Sequence, residues 1–396
     1  MVLYLLNRHV NPITAALLGL SFLLDPIFVA SSRLRVDCWA IALCLGSCYL
    51  LRVSLKLIQN NQRCFVNIGV AGSLSAAAFF VWPSVLIIYP LILLELWYVL
   101  VAVIQGKKIW KDACQLLLVF GTSFLLICLL LIIPIIGNLD MIISDFSRAT
   151  RAVSKIGIGE FINFATSFIR GRSLVLPILA SFALVYVTEK SLAITTLLAL
   201  SIVISTGVTP DRCLYAFPYL ILLVSNLYSQ PTKSIKSRDL NPRIKAAFLL
   251  VLVGYAVTIS LIIRPVIGLS NSSGRNTNLL VNAGKTHIGE GEYKIWDSTW
   301  QFYETGRLLK WKMYQPFWAF WGIEDNDNSH RFIDNLDHVI LQHKSEYKII
   351  EKRGFRLQKT IRLDSGNQSN EGVFLNHLTK SLNSQTAYGP YDLYSR

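Results

Sequence analysis

The chain has 396 residues, 53% of them hydrophobic and only 16% charged, with a formal net charge of +14. A soluble protein of this size carries roughly 25% charged residues, so composition excludes an ordinary soluble enzyme over most of the length. Much of the positive charge lies in links between apolar runs, which sets nucleic acid aside as a partner and points to topology and anionic lipid contacts.

In chain order the apolar runs cover 11–31, 37–57, 65–81, 84–105, 113–137, 173–188, 191–207, 213–228 and 246–264. A hydrocarbon core of about 30 Å needs roughly 20 apolar residues per helix. The runs are continuous and do not alternate with period 2, so they predict helices rather than barrel strands. The expected fold is an all-α polytopic membrane bundle of about nine transmembrane helices. The Trp82-Pro83 pair between the third and fourth runs predicts a tight hairpin.

The second, fourth and eighth links are basic. They hold Arg52, Lys56 and Arg63; Lys107, Lys108 and Lys111; and Lys233, Lys236, Arg238, Arg243 and Lys245, against Asp112 and Asp239. All three are even-numbered, so the excess of positive charge assigns one side to the cytoplasm of a cell (inner) membrane. Links 31–36, 82–83, 138–172 and 208–212 then face outward, as does everything after about Arg264. The first ten residues carry only Arg8 and His9 and read as no cleavable signal.

The long outer link contains two amphipathic stretches, Met141–Val153 and Ile158–Ile169, with Arg148, Arg151, Lys155, Arg170 and Arg172 in or beside them. Such stretches lie in the membrane interface. They read either as a structural lid or as a basic cover over a site for an anionic lipid-linked substrate.

The domain organisation follows as a transmembrane domain over 1–264, a linker over 265–285 and an extracytoplasmic α/β domain over 286–396. In that last domain Glu292–Trp296 and Asp337–Gln342 predict strands and Trp300–Trp311 a helix, with Tyr347–Arg353 and Phe355–Arg362 following. The seven cysteines (38, 44, 48, 64, 114, 128 and 213) lie in or beside apolar runs, without metal spacing, so the C-terminal domain needs no disulfides. Asp325–Asn328 resembles a piece of a calcium loop but lacks its glycine and distal glutamate.

Three outward segments carry groups that could do chemistry. In 31–37 (SSRLRVD) a carboxylate, Asp37, opens a helix close to Arg33 and Arg35, which can hold a phosphate with two-pronged geometry; the plainer reading is a solvated turn. In 209–212 (TPDR) Asp211 and Arg212 precede Tyr215, Pro218 and Tyr219; an ordinary helix start is equally compatible. Asp25, before Pro26, lies within the first run and is costly in lipid unless it faces a cavity or partner. Glu95 is a weaker case that reads as paired with a polar neighbour.

Taken in order, these segments resemble the GT-C superfamily of membrane glycosyltransferases, nearest its aminoarabinose-transferase and protein O-mannosyltransferase-like branch. The residues that carry the resemblance are 24–26 (LDP) through 32–37 (SRLRVD), 67–69 (NIG) to 83–85 (PSV), 212–218 (RCLYAFP), 295–311 (IWDSTWQFYETGRLLKW) and 336–340 (LDHVI). The resemblance implies a sugar donor on a polyprenyl phosphate at the outer leaflet, an acceptor hydroxyl on a lipid, glycan or protein, and inversion at the anomeric carbon. It implies that Asp37 is the second acidic residue of the catalytic centre, supporting the base. It further implies that Arg33, Arg35, Arg212 beside Asp211, Arg148, Arg151 and Arg172 serve the phosphate. The family base lies in a loop that would precede this chain's first helix, so the match begins at the family's third helix and implies eleven spans in all. No cofactor is implied; a divalent metal stays open. A transporter or lipid flippase, and a non-catalytic membrane-anchored binding protein, are the alternatives.

Overall fold

Asparagine starts three of the helices. Asn11 and Asn241 each precede a proline, and each side chain accepts from the backbone N–H two residues on, Ile13 (3.0 Å) and Arg243 (2.9 Å). Asn276 accepts in the same way from Asn278 and Leu279. Proline in the first turn has a suitable φ, and its missing N–H would have had no helical partner there. The computed structural model describes residues 1–31, 36–105, 110–138, 158–187, 189–205, 212–228, 240–270, 276–299, 301–314, 331–341, 350–361 and 391–396. The chain divides into two units, Met1–Leu261 and Ile262–Arg396.

The first unit is helical. Its α-helices are α1 (Val2–Asn7), α2 (Pro12–Leu23), α3 (Pro26–Ser31), α4 (Asp37–Gln59), α5 (Phe65–Val81), α6 (Tyr89–Gln105), α7 (Trp110–Ile132), α8 (Ile158–Gly171), α9 (Val175–Tyr186), α10 (Lys190–Ser205), α11 (Phe217–Asn226) and α12 (Pro242–Val257). Short 3₁₀ turns cover Pro83–Ile87 and Arg212–Ala216, and a π-helical turn, Thr258–Ile263, continues α12. Among the described residues three helical stretches are long and apolar enough to cross a membrane: Asp37–Gln59, Trp110–Ile132 and Pro242–Leu269. Six shorter apolar helices, Pro12–Leu23, Phe65–Val81, Tyr89–Gln105, Val175–Tyr186, Lys190–Ser205 and Arg212–Asn226, fall on the remaining predicted runs.

Helix α11 is buried from Phe217 to Ser225, as expected of a helix apolar all round. Helix α7 is the opposite case, with Leu117, Leu118, Leu125, Leu126, Leu129 and Leu130 all exposed. It packs closely on α5 along one side. A Cβ on Gly72 would lie 2.4 Å from the Phe120 carbonyl oxygen, so only glycine permits this approach. The predicted hairpin at Trp82-Pro83 is corrected. Trp82 is extended before the proline and the Pro83–Ile87 turn displaces the chain, so α5 packs mainly on α4 and α7 while α6 packs on α4 and α10.

The predicted linker also needs correction. Its described residues include α13 (Arg264–Ser270) and α14 (Thr277–His287), and α14 belongs to the core of the second unit. Leu280 is buried with Ile295, Phe302, Leu309 and Trp311. Gly284 lets the side chains of Trp311, Thr305 and Leu309 close in on α14.

The rest of this unit comprises β1 (Lys294–Asp297), α15 (Tyr303–Leu308), β2 (Lys312–Tyr314), α16 (Arg331–Asp334), β3 (His338–Leu341), β4 (Arg356–Ile361) and β5 (Tyr391–Ser395). The strands form one mixed sheet in the order β2-β1-β3-β5-β4. Strand β1 is parallel to β2 and β3, whereas β5 is antiparallel to β3 and β4. Strands β3 and β4 and helix α15 fall within predicted segments and β1 overlaps one, ending a residue beyond it; β2 and β5 do not.

Candidate functional site

The break between α2 and α3 falls at Asp25-Pro26. Asp25 is 4% exposed. Its Oδ1 accepts from the Ile27 N–H at 2.9 Å and its Oδ2 from the Ser173 hydroxyl at 2.5 Å. One carboxylate thus caps α3 and ties it to the start of α9. Next to Ser173, Arg172 holds the left-handed conformation (φ 61°) that ends α8, and its carbonyl accepts from the Tyr255 hydroxyl at 2.6 Å. Ser260, in the π-helical turn, donates to the Leu24 carbonyl at 2.6 Å. Three interruptions of regular helix therefore meet, and side chains from distant segments satisfy the backbone groups they release.

Asp37 opens α4 and is 2% exposed. The Tyr215 hydroxyl donates to its Oδ1. Tyr215 lies in the 3₁₀ turn Arg212–Ala216, where side chains three apart eclipse each other. Arg212 opens the same turn and is within electrostatic reach of Tyr215. Phe217, just beyond, meets both Phe22 of α2 and Phe168 of α8, at ring-centroid separations of 6.4 and 6.1 Å. Asp25, Arg172, Asp37 and Arg212 thus belong to one end of the helical unit. Arg33, Arg35, Arg148, Arg151 and Asp211 lie outside the described residues, as do the 141–153 stretch and Asp325–Asn328.

A second polar cluster sits about 22 Å further along α4, at the rise of a regular helix. Glu95, in α6, is fully buried; Arg8 approaches its Oε1 at 2.8 Å, and the Tyr4 hydroxyl donates to the same oxygen. Arg52 forms an ion pair with Oε2 by proximity, without hydrogen-bond alignment. Glu189, before α10, takes the other arm of Arg8 and the Tyr98 hydroxyl, with Arg52 3.8 Å away. Tyr98 also meets Ser191 at 2.5 Å and lies under the Arg52 guanidinium. Two guanidiniums and two carboxylates balance. Glu95 is therefore paired, as its plainer reading had it. Arg52, read as flanking a link, instead lies inside α4 and is committed to carboxylates.

Sequence reasoning missed Ser173, Tyr255 and Ser260 at the first end, and the joining of Arg8 to Glu189 at the second. No local pattern marks them, because each partner comes from a distant segment. Compared with family models, curated proteins and solved structures, the chain matches none. Among the described residues no group of three or more His, Cys, Asp or Glu could hold a metal ion.

In the second unit, Asp297 is fully buried at the end of β1. It accepts from the Thr299 N–H and hydroxyl and from the Phe302 N–H, which closes the turn into α15. His338 packs its ring against Tyr293, and among the described residues its buried Nδ1 has no hydrogen-bond partner. Burial lowers its pKa from the usual value of about 6.5, against the opposing pull of Asp337. The folded state thus binds this proton less readily than the unfolded one. Its stability is untouched above the usual value and is lost as pH falls through it toward the folded value. After correction for intrinsic exchange, amides of β3 in the full chain should exchange faster at pH 5.5 than at 7.5, and His338→Gln should flatten that response.

Proposed function

We propose that the chain is a polytopic membrane glycosyltransferase that moves a sugar from a polyprenyl phosphate to an acceptor hydroxyl at the outer face, with inversion. In this reading all nine apolar helices cross the membrane and the C-terminal sheet domain is extracytoplasmic. The observation that carries it is the joining of Asp37, Tyr215 and Arg212 at the bundle end that also holds Asp25 and Arg172. The charge count, which assigns the basic even-numbered links to the cytoplasm, supports an outward-facing position for this end.

In the reaction the acceptor oxygen attacks the anomeric carbon as the bond to the phosphate oxygen breaks. The bonding pair leaves with the phosphate, and the acceptor proton passes to a base. Arg212, at the start of its turn, suits the charge that grows on the departing phosphate. Asp37 is too enclosed to meet an acceptor directly. It acts as a positioning residue, fixing Tyr215 and through it the turn that carries Arg212.

One observation favours a second reading. Interrupted helices converging on a buried carboxylate, as at Asp25, are a device of transporters. The test is to reconstitute the full chain in liposomes with a panel of radiolabelled polyprenyl-phosphate sugars and a membrane extract as acceptor. Protein-dependent release of polyprenyl phosphate with label in the acceptor supports transfer. Movement of the labelled lipid between leaflets without release rejects transfer in favour of a flippase.

A further inference from the structure

At the opposite end of the helical unit from Asp37, a groove of about 420 Å³ opens between the start of α5 and the first turns of α7. That volume lies within the roughly 300–1,000 Å³ of small-molecule sites. It is lined by Phe65, Lys111, Cys114, Gln115, Leu118 and Val119. Lys111, Cys114, Gln115 and Leu118 share one face of α7 by their spacing, whereas Asp112 turns away from it. The floor is apolar, and the exposed leucine face of α7 continues it.

One lining residue, Lys111, is a cation and is exposed; Arg63, also exposed, precedes the lining residue Phe65 by two positions, and among the described residues neither takes part in an ion pair. Trp110, also exposed, is the kind of residue that sits at headgroup depth. A second copy of the apolar face of α7 would fill the floor but leave both cations unanswered. A molecule with a long apolar chain and an anionic head answers both.

We propose that this groove is a binding site for one anionic glycerophospholipid, with an acyl chain along Cys114, Leu118 and Val119 and the phosphate at Lys111 and Arg63. Gln115 is placed to donate to the glycerol ester. The site is separate from the glycosyltransferase reading and stands or falls without it.

The test is native mass spectrometry of the detergent-purified full chain, titrated with phosphatidylglycerol or phosphatidylcholine. A basic residue near a membrane surface contributes about 1 kcal/mol toward anionic lipid, or about fivefold. The wild type should hold one phosphatidylglycerol in preference to phosphatidylcholine. Lys111→Ala should cut that preference about fivefold, and Arg63→Ala with Lys111→Ala about 25-fold, by the same per-residue figure. Cys114→Trp, at an exposed position, should fill the groove and remove the bound lipid of either type. Three results would overturn the proposal: equal retention of both lipids by the wild type, unchanged preference in the Arg63/Lys111 double variant, or a dimer that dissociates with Cys114→Trp while lipid binding persists.

Discussion

Replacing Glu95 with glutamine should destabilise the helical unit by about 3–5 kcal/mol, the usual result of removing one partner of a buried ion pair. Glu95 is the central acceptor of its cluster, taking Arg8, Arg52 and Tyr4 together. The amide keeps the shape but cannot neutralise two guanidiniums, and Glu189 alone must then balance both. The damage comes from the uncompensated charge rather than from lost attraction, so removing a cation as well should relieve it. Glu95→Gln combined with Arg52→Met leaves the neutral pair Arg8–Glu189 and should recover much of the loss. The four buried cysteines, Cys44, Cys48, Cys64 and Cys213, all lie in the helical unit, and the C-terminal unit has none. Labelling with a thiol-reactive fluorophore during heating therefore follows the helical unit alone. The single variant should unfold at least roughly 6 °C lower at these energies, and the double variant close to the wild type. A double variant worse than the single one would contradict the charge argument.

How much of this could be read from the sequence depends on how local each feature is. A run such as 217–226 (FPYLILLVSN) is apolar on every side, and its burial in α11 follows from that alone. Among the described residues a helix falls on each of the nine apolar runs for the same reason, although the first is broken at Leu24-Asp25. Trp82-Pro83 marked the end of α5, but whether α5 then lies on α6 depends on α4 and α7, which compete for the same surface. In the predicted linker, 265–285, a helix went unread because its apolar side, with Leu280 and Gly284, acquires meaning only against Trp311. Strand β5 has no covered face without β3 and β4 beside it. For the candidate site, charged residues at the ends of apolar runs stood out: Asp25, Asp37, Arg172 and Arg212. Their fixing partners did not, because Ser173, Tyr215 and Tyr255 are ordinary residues until folding brings a carboxylate or a released carbonyl to them.

Arg212→Ala should reduce sugar transfer about 10²–10³-fold, the cost of removing a donor aimed at developing negative charge. Arg212→Lys should retain part of the activity, since it keeps the charge without the guanidinium fork. Asp37 acts through Tyr215, so its loss should be felt as misplacement of the Arg212 turn, and a shift of about 1 Å can cost about 100-fold. Asp37→Ala and Tyr215→Phe should therefore lower kcat to a similar extent, with a smaller effect on KM. The decisive measurement is the double variant. If the two residues form one positioning unit, Asp37→Ala with Tyr215→Phe is no worse than either alone, because the second change removes a contact already lost. If Asp37 instead receives the acceptor proton, Asp37→Ala is far more damaging than Tyr215→Phe, and the two losses multiply. Transfer at the wild-type rate in both Arg212→Ala and Asp37→Ala would remove this end of the bundle from the chemistry altogether.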